Sequence, residues 1–274
     1  MGLIDQIKKK AHQELIFKFS KTNRLGIASN YLKGTGIEIG ALNYPLKVPA
    51  HVNVKYLDRM SAEDHLAIFK DYKIKDLVKV DIIGNGETLD TVGEGTQDFV
   101  IANHFIEHCQ NPIMTIENML RVLKTGGLIF MAIPDKRYTF DINRKTTTMK
   151  HFIKDYEEGP AWSERRHYLD FVKNTEWSKD ATTDEDIRNI CQHLKDINFS
   201  IHYHVWTHST MIDFFETMLH KLKFRFEIIL AVAPHNGSNE SIFILRKRGA
   251  PRDQLNQPSV IMERVENREP VVQG

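Results

Sequence analysis

Asp98-Phe99-Val100-Ile101-Ala102-Asn103-His104 is the stretch on which the fold turns. Its apolar run, Phe99 to Ala102, does not alternate with polar residues, as a strand with one wet face would. It reads as a strand buried on both faces, ending in polar residues. Working outward, Asn111-Pro112 opens a helical pattern over residues 111–123, with Ile113, Ile116, Met119 and Leu123 on one face. Gly126-Gly127 stops it. Leu128-Ile129-Phe130-Met131-Ala132-Ile133 is the next apolar strand, closed by Pro134. Upstream, Gly36-Ile37-Glu38-Ile39-Gly40 is a short strand, and Val52-Asn53-Val54-Lys55-Tyr56-Leu57 is a second, ending at Asp58. Ser61 with Asp64 caps a helix running through Phe69. Leu77-Val78-Lys79-Val80 is expected as the third strand, ending at Asp81.

Apolar strands separated by helices imply a parallel sheet covered on both faces. Two later strands, residues 224–230 and 241–245, flank a turn between Pro234 and Ser238, which predicts antiparallel pairing at the sheet edge. The expected fold is therefore α/β: a doubly wound, Rossmann-like, mostly parallel seven-stranded sheet with an antiparallel edge strand. About ninety residues separate strands five and six, far more than a crossover needs. A helical insertion over about residues 135–205 is expected there. The domain itself is expected over 34–249, after an N-terminal helical cap (1–33) and before a flexible tail (250–274). In the cap, Leu3, Ile7, Leu15, Ile16 and Phe19 make an amphipathic pattern.

The 274-residue chain has 41% hydrophobic and 27% charged residues and a net charge of +1, which does not point to nucleic acid as a partner. Its two cysteines, Cys109 and Cys191, read as free thiols of a reducing compartment. No run approaches the roughly 20 apolar residues of a membrane span, and no signal peptide is recognisable. A cytoplasmic location is expected. A homo-oligomer is left open.

In an open parallel sheet the ligand sits beyond the carboxyl ends of the strands. Gly40, Asp58, Asp81 and Asn103-His104 all fall there by spacing. A glycine permits close backbone approach, and a carboxylate after strand two can accept from ribose hydroxyls. Gly40-Ala41-Leu42-Asn43-Tyr44-Pro45 lacks the further glycines that admit a pyrophosphate, so a nucleoside ligand is favoured over a dinucleotide.

These residues resemble the class I S-adenosylmethionine-dependent methyltransferases. The matching motifs are Ile37-Glu38-Ile39-Gly40, Tyr56-Leu57-Asp58, Val80-Asp81, and the run from Asp98 through His108 to Gly126-Gly127. The first motif departs from the family in having only one glycine. The resemblance implies S-adenosylmethionine as cofactor. It places Glu38 and Gly40 at the methionine end, Asp58 on the ribose, Asp81 or Glu87 near the adenine, and Asn103 and His104 beside the sulfonium, with Ala41 also on the cofactor. Glu38-Ile39-Gly40-Ala41-Leu42 with Pro45-Leu46, and Ile133-Pro134-Asp135-Lys136-Arg137-Tyr138-Thr139-Phe140-Asp141, are similar to a bacterial group associated with surface-polysaccharide synthesis. That likeness implies a small-molecule acceptor, a sugar or nucleotide-linked sugar.

A sugar hydroxyl is a poor nucleophile, and a positioned base aids it by about 10²–10⁴-fold. His104 is the first candidate; His202, His204 and His208 are the next, with His202 and His204 expected on one face of an extended segment. Asp135, Arg137 and Arg144 follow strand five, where the arginines could bind a diphosphate. Trp206 could stack on a sugar or simply pack. His104-x-x-Glu107-His108 also matches an inverted zinc-protease motif, but a strand feeding His104 and the early Pro112 leave about one helical turn for it. No metal is predicted. Competing readings are a lipid or quinone acceptor, and a non-catalytic cofactor-binding protein.

Overall fold

Seven strands form one sheet in the order β3-β2-β1-β4-β5-β7-β6 in the computed structural model, which describes residues 22–68, 73, 76–235 and 237–249. The strands are β1 (Thr35–Ile39), β2 (Asn53–Asp58), β3 (Ile82–Ile83), β4 (Gln97–Asn103), β5 (Leu123–Pro134), β6 (Phe226–Val232) and β7 (Glu240–Lys247). β1 to β5 pair in parallel; β7 runs antiparallel between β5 and β6, one strand in from the edge. The order reverses between β1 and β4, which is where such a sheet opens a ligand crevice.

The apolar runs are buried on both faces, for the reason their composition indicated. On β4, Phe99 and Ile101 face a layer with Ile27 and Ala28 of helix α1 (Arg24–Tyr31) and Leu32, which caps it. Val100 and Ala102 face the opposite layer, with Ile113, Ile116 and Met119 of α3 (Pro112–Val122) and Phe214 and Phe215 of α7 (His208–His220). Each fully buried Val, Ile, Leu, Met or Phe side chain among these contributes roughly 1.5–3 kcal/mol, an alanine about half that or less. The Asn111 side chain caps α3 by accepting from Met114 N, and Pro112 stands at its first turn, where a missing N–H costs nothing. β1 and β4 meet so closely that a Cβ on Gly36 would lie 2.2 Å from the Phe99 carbonyl oxygen.

The third strand is a correction. Residues 77–80 make no ladder with β2; Val78 N donates instead to Leu42 O. The strand is the two-residue β3, paired with Leu57 and Asp58. Asp81 therefore precedes β3 rather than ending a strand. The helix expected from Ser61 is α2 (Ala62–Ile68). The expected helix near the N-terminus and the expected tail lie outside the described residues.

Between β5 and β6 the chain forms α4 (Met149–Glu158), α5 (Glu164–Asn174) and α6 (Asp184–Asp196), with short 3-10 turns, before α7. Tyr168, Phe171, Val172, Leu194, Ile201 and Tyr203 make a small core of their own here. The segment is tied to the sheet end by a parallel bridge from Asp135 to Trp206 and by Lys136 N donating to Trp206 O. Among the described residues, no helix is long and apolar enough to cross a membrane.

Candidate active site

The carboxyl ends of β1, β2 and β4 bring the motif residues together. Glu38, near the end of β1, is buried, and both its carboxylate oxygens face Leu46 N at 2.9 and 3.0 Å. Burial raises its pKa to about 7, against the Leu46 hydrogen bond and the charge of Arg24. Gly40 follows with φ +64°, and a Cβ there would meet nothing within 4 Å. Ala41 beside it is buried. At the end of β2, Asp58 pairs with His65 through Oδ1 and Nε2 at 2.9 Å. Ala41, Leu42, Tyr56, Asp58, His65 and Val78 line a shallow cleft at this end. At the end of β4, Asn103 eases the charge on Glu38 from nearby, but neither its amide oxygen nor its nitrogen completes a hydrogen bond of proper geometry. A buried amide with both ends unmet is costly in a finished structure and suited to a ligand.

Asp81 and Glu87 stand apart from this group. Asp81 Oδ2 accepts from Tyr56 N at 3.0 Å, holding β2. Glu87 Oε2 accepts from Gln110 N and Asn111 N at 3.1 and 3.3 Å, so its carboxylate braces the start of α3. Burial keeps its pKa raised despite these bonds.

His104, expected as the base, is held between two carboxylates. Its backbone is left-handed, φ +48°. Its Nε2 lies 2.7 Å from Glu240 Oε2 and its Nδ1 lies 3.4 Å from Glu107 Oε1. Burial works against charge on the ring, but the two carboxylates outweigh it and lift the pKa to about 9. Both ring nitrogens are thereby engaged by carboxylates, a pairing that works against a role as the base. Glu240 also accepts from Arg24 Nε at 2.6 Å, and despite burial its pKa falls to about 2.

His202 and His204 do not share a face. Tyr203 N and His204 N both point at the Glu107 carbonyl, so the segment turns instead of extending. His202 Nδ1 lies 2.6 Å from Asp141 Oδ2, with its ring 4.7 Å from Phe140 and, edge-on, 4.7 Å from His108. One donor atom each of Glu107, His108 and His202 lies within 4.8 Å of the others. Burial works to raise the pKa of Asp141, yet His202 and Arg144 hold it below the usual carboxylate range. His204 is buried beside Phe152, His151 and His167, out of reach of an acceptor. Burial pushes its pKa well down.

Three residues assigned to the acceptor are consumed internally. Asp135 accepts from Arg137 N, Nε and Nη2 and from His208 N, at 2.7 to 3.0 Å, filling both oxygens. Arg144 is 2% exposed; it donates to Asp141 and Asp170 at 2.8 Å each and to the His202 carbonyl. It has no fork to offer a diphosphate. Trp206 is buried and stacks on Phe152 at 5.2 Å and 2°. Arg137 keeps an exposed guanidinium above Tyr138 while binding Asp135. Glu240 and Arg24 were missed, since each gains meaning only from cross-sheet pairing. Glu107, lying inside the protease-like motif, carried a signal. That motif is not helical: residues 106–108 form a single 3-10 turn, and His104 precedes it in a left-handed conformation.

A family model described as a methyltransferase domain matches residues 34–204. The chain belongs to that family. It is an S-adenosylmethionine-dependent methyltransferase. No curated protein matches it. Among solved structures, this methyltransferase is similar to a putative zinc-dependent alcohol dehydrogenase from Rhodobacter sphaeroides, 11% identical over 84% of this chain and 88% of that one, TM-score 0.47. It is also similar to a possible histamine N-methyltransferase from Thermotoga maritima, 16% identical over 88% and 96%, TM-score 0.44. A putative methyltransferase from Methanococcus maripaludis is 14% identical over 81% of each chain, TM-score 0.39. None of these likenesses bears on the substrate. The residues at the strand ends fit the donor of the methyltransferase: an unmet amide at Asn103, open space at Gly40, and carboxylates at Glu38 and Asp58 for a cationic, ribose-bearing molecule.

Proposed function

We propose that the protein methylates a hydroxyl of a small polar acceptor, a sugar or nucleotide-linked sugar, with His202 as general base oriented by Asp141. The observation that carries this reading is the 2.6 Å contact between His202 Nδ1 and Asp141 Oδ2. It fixes the tautomer, leaving Nε2 as the proton acceptor. S-adenosylmethionine supplies an electrophilic methyl group when bound. Glu38, Gly40, Ala41 and Asn103 hold its methionine end and Asp58 its ribose. Asp81 and Glu87 act through β2 and α3, shaping the cleft without touching the nucleoside. Tyr138 and Phe140, both about half exposed beside the dyad, offer faces for a sugar ring, and Arg137 offers a cation at the rim.

A second reading has its own observation. Ile142 is 56% exposed next to Phe140 and Tyr138, so this rim also suits an apolar acceptor such as a lipid or quinone. Labelled donor with panels of nucleotide sugars, free sugars and prenylated phenols separates the two. Sugar labelling that falls by about 10²-fold or more in His202→Gln, with donor affinity retained, supports the first. Labelling confined to phenols supports the second, and a His202→Gln enzyme of unchanged turnover removes the dyad.

A further inference from the structure

We propose that His151, Asp155, His167 and His204 form a closed binding site for a single Zn²⁺ ion, which ties the helical insertion to the segment carrying His202. The proposal does not depend on the identity of the methyl acceptor.

Three separate elements converge here. His151 and Asp155 are four apart on α4 and so share a face. His167 comes from α5, and His204 from the turn that follows Ile201. His151 Nε2 lies 3.0 Å from His167 Nε2 and 3.1 Å from Asp155 Oδ2, and His204 Nε2 lies 3.6 Å from the same oxygen. One donor atom from each of the four falls within 4.8 Å of the others. A tetrahedral zinc with bonds near 2.0–2.1 Å sets its donors about 3.3 Å apart, so the cluster is already near that size.

Hydrogen bonding alone leaves the cluster unfinished. Two imidazole nitrogens facing each other at 3.0 Å are satisfied if one carries a proton, but that bond bypasses the carboxylate. Asp155 is fully buried; its Oδ1 accepts from Ser163 Oγ at 2.9 Å, while Oδ2 completes no hydrogen bond. Its ion-pair contacts among the described residues are with imidazoles. His204 Nε2, 3.6 Å from that oxygen, also lies 3.3 Å from Gln110 O, and its Nδ1 is buried with no partner. A fully buried carboxylate oxygen with no hydrogen bond, faced by imidazole nitrogens, is costly. A divalent cation shared by that oxygen and the facing nitrogens, His204 Nε2 among them, answers it. The Ser163 contact is of the outer-shell kind that orients ligands.

The donor set selects the metal. Three imidazoles and one carboxylate suit zinc, not Ca²⁺ or Mg²⁺, which take oxygen donors. Four protein ligands with no open position make the site structural. Its consequence lies two residues away in His202, whose position against Asp141 depends on the same segment.

The test uses the full chain, freed of any histidine tag. Metal analysis after gel filtration is expected to find about one zinc per chain, and stripping with a strong chelator should lower the melting temperature reversibly. Cobalt added to the stripped protein should give the intense visible bands of four-coordinate Co²⁺. Ser163→Ala, outside the cluster, should weaken zinc binding about 10–100-fold while the fold is kept. His167→Gln should abolish the cobalt bands; if it fails to fold, the wild-type stripping and reloading still decides. The proposal is overturned if stripped wild-type protein takes up no zinc, shows no melting shift, and yields only the pale spectrum of hydrated cobalt.

Discussion

His104 Nε2, just past the end of β4, meets Glu240 Oε2, at the start of β7, at 2.7 Å, bridging across β5. The pair is closed by Arg24 on one side and Glu107 on the other. It holds His104 as a cation with a pKa near 9, from an ordinary 6.5. A histidine whose pKa is raised by folding contributes stability that is complete below pH 6.5 and lost as pH rises through about 9. With the ring 37% exposed, that contribution is on the order of 1–2 kcal/mol after screening. Glu240→Gln is therefore expected to bring the His104 titration, followed by NMR, down by more than one unit, and to flatten the loss of melting temperature between pH 6.5 and 9. His104→Gln should keep turnover at pH 7 within about tenfold, since loss of a general base would cost 10²–10⁴.

Glu38 also has a raised pKa, but there it is the neutral form that folding favours. Burial lifts its pKa to about 7 in the protein without donor. An acid raised on folding gives stability that is present below its ordinary value of 4.5 and is lost as pH rises through about 7. A cationic donor binds best once this group is ionised. Donor affinity, measured calorimetrically, should rise by up to tenfold per pH unit below pH 7 and level off above it. Glu38→Gln, which keeps an acceptor for Leu46 N, should bind weakly with little pH dependence and melt higher at pH 8. An affinity independent of pH in the wild type would contradict the assignment.

Much of the sheet was legible because its chemistry is local. Phe99 to Ala102 is apolar on both faces, so both faces are covered, and no tertiary detail was needed to see it. β3 was misplaced because the Leu77 to Val80 run carries more apolar character than Ile82-Ile83, while the ladder is decided by which backbone groups reach β2. The site was less legible. Asp135 and Arg144 carry the charges of a ligand site, yet each finds its partners inside the fold: Arg137 and His208 for one, Asp141 and Asp170 for the other. His202 and His204 parted because both Tyr203 N and His204 N turn toward one carbonyl, which period-two reasoning cannot foresee. The cluster around Asp155 was invisible, since His151, His167 and His204 are dispersed from position 151 to position 204 of the sequence.

Arg144 and Asp141 supply a test of stability and chemistry together. Their Nη1–Oδ1 contact of 2.8 Å is fully buried, and Asp141 is also the partner of His202. Arg144→Met strands a buried carboxylate, a loss of about 3–5 kcal/mol. Chemical unfolding should show that cost. In the surviving folded fraction Asp141 loses the cation that keeps it ionised, so the acid limb of the turnover profile should move to higher pH. A variant as stable as the parent, with an unshifted limb, would remove Arg144 from its place behind the dyad.

Gly36 and Gly40 separate packing from binding within one strand and its exit. A methyl on Gly36 would lie 2.2 Å from the Phe99 carbonyl oxygen, and neither strand can yield without breaking the β1–β4 ladder. Gly36→Ala should therefore cost about 1–3 kcal/mol of stability or more. At Gly40 the added methyl meets empty space, so the penalty is conformational only, about 1–2 kcal/mol for a non-glycine residue at φ +64°. That empty space is where the donor is expected to come closest to backbone. Gly40→Ala should thus be the milder lesion in unfolding experiments and the more severe one in donor binding, while folded Gly36→Ala binds the donor normally. If the two variants rank the same way in both measurements, the opening at Gly40 is a turn requirement and the donor sits elsewhere.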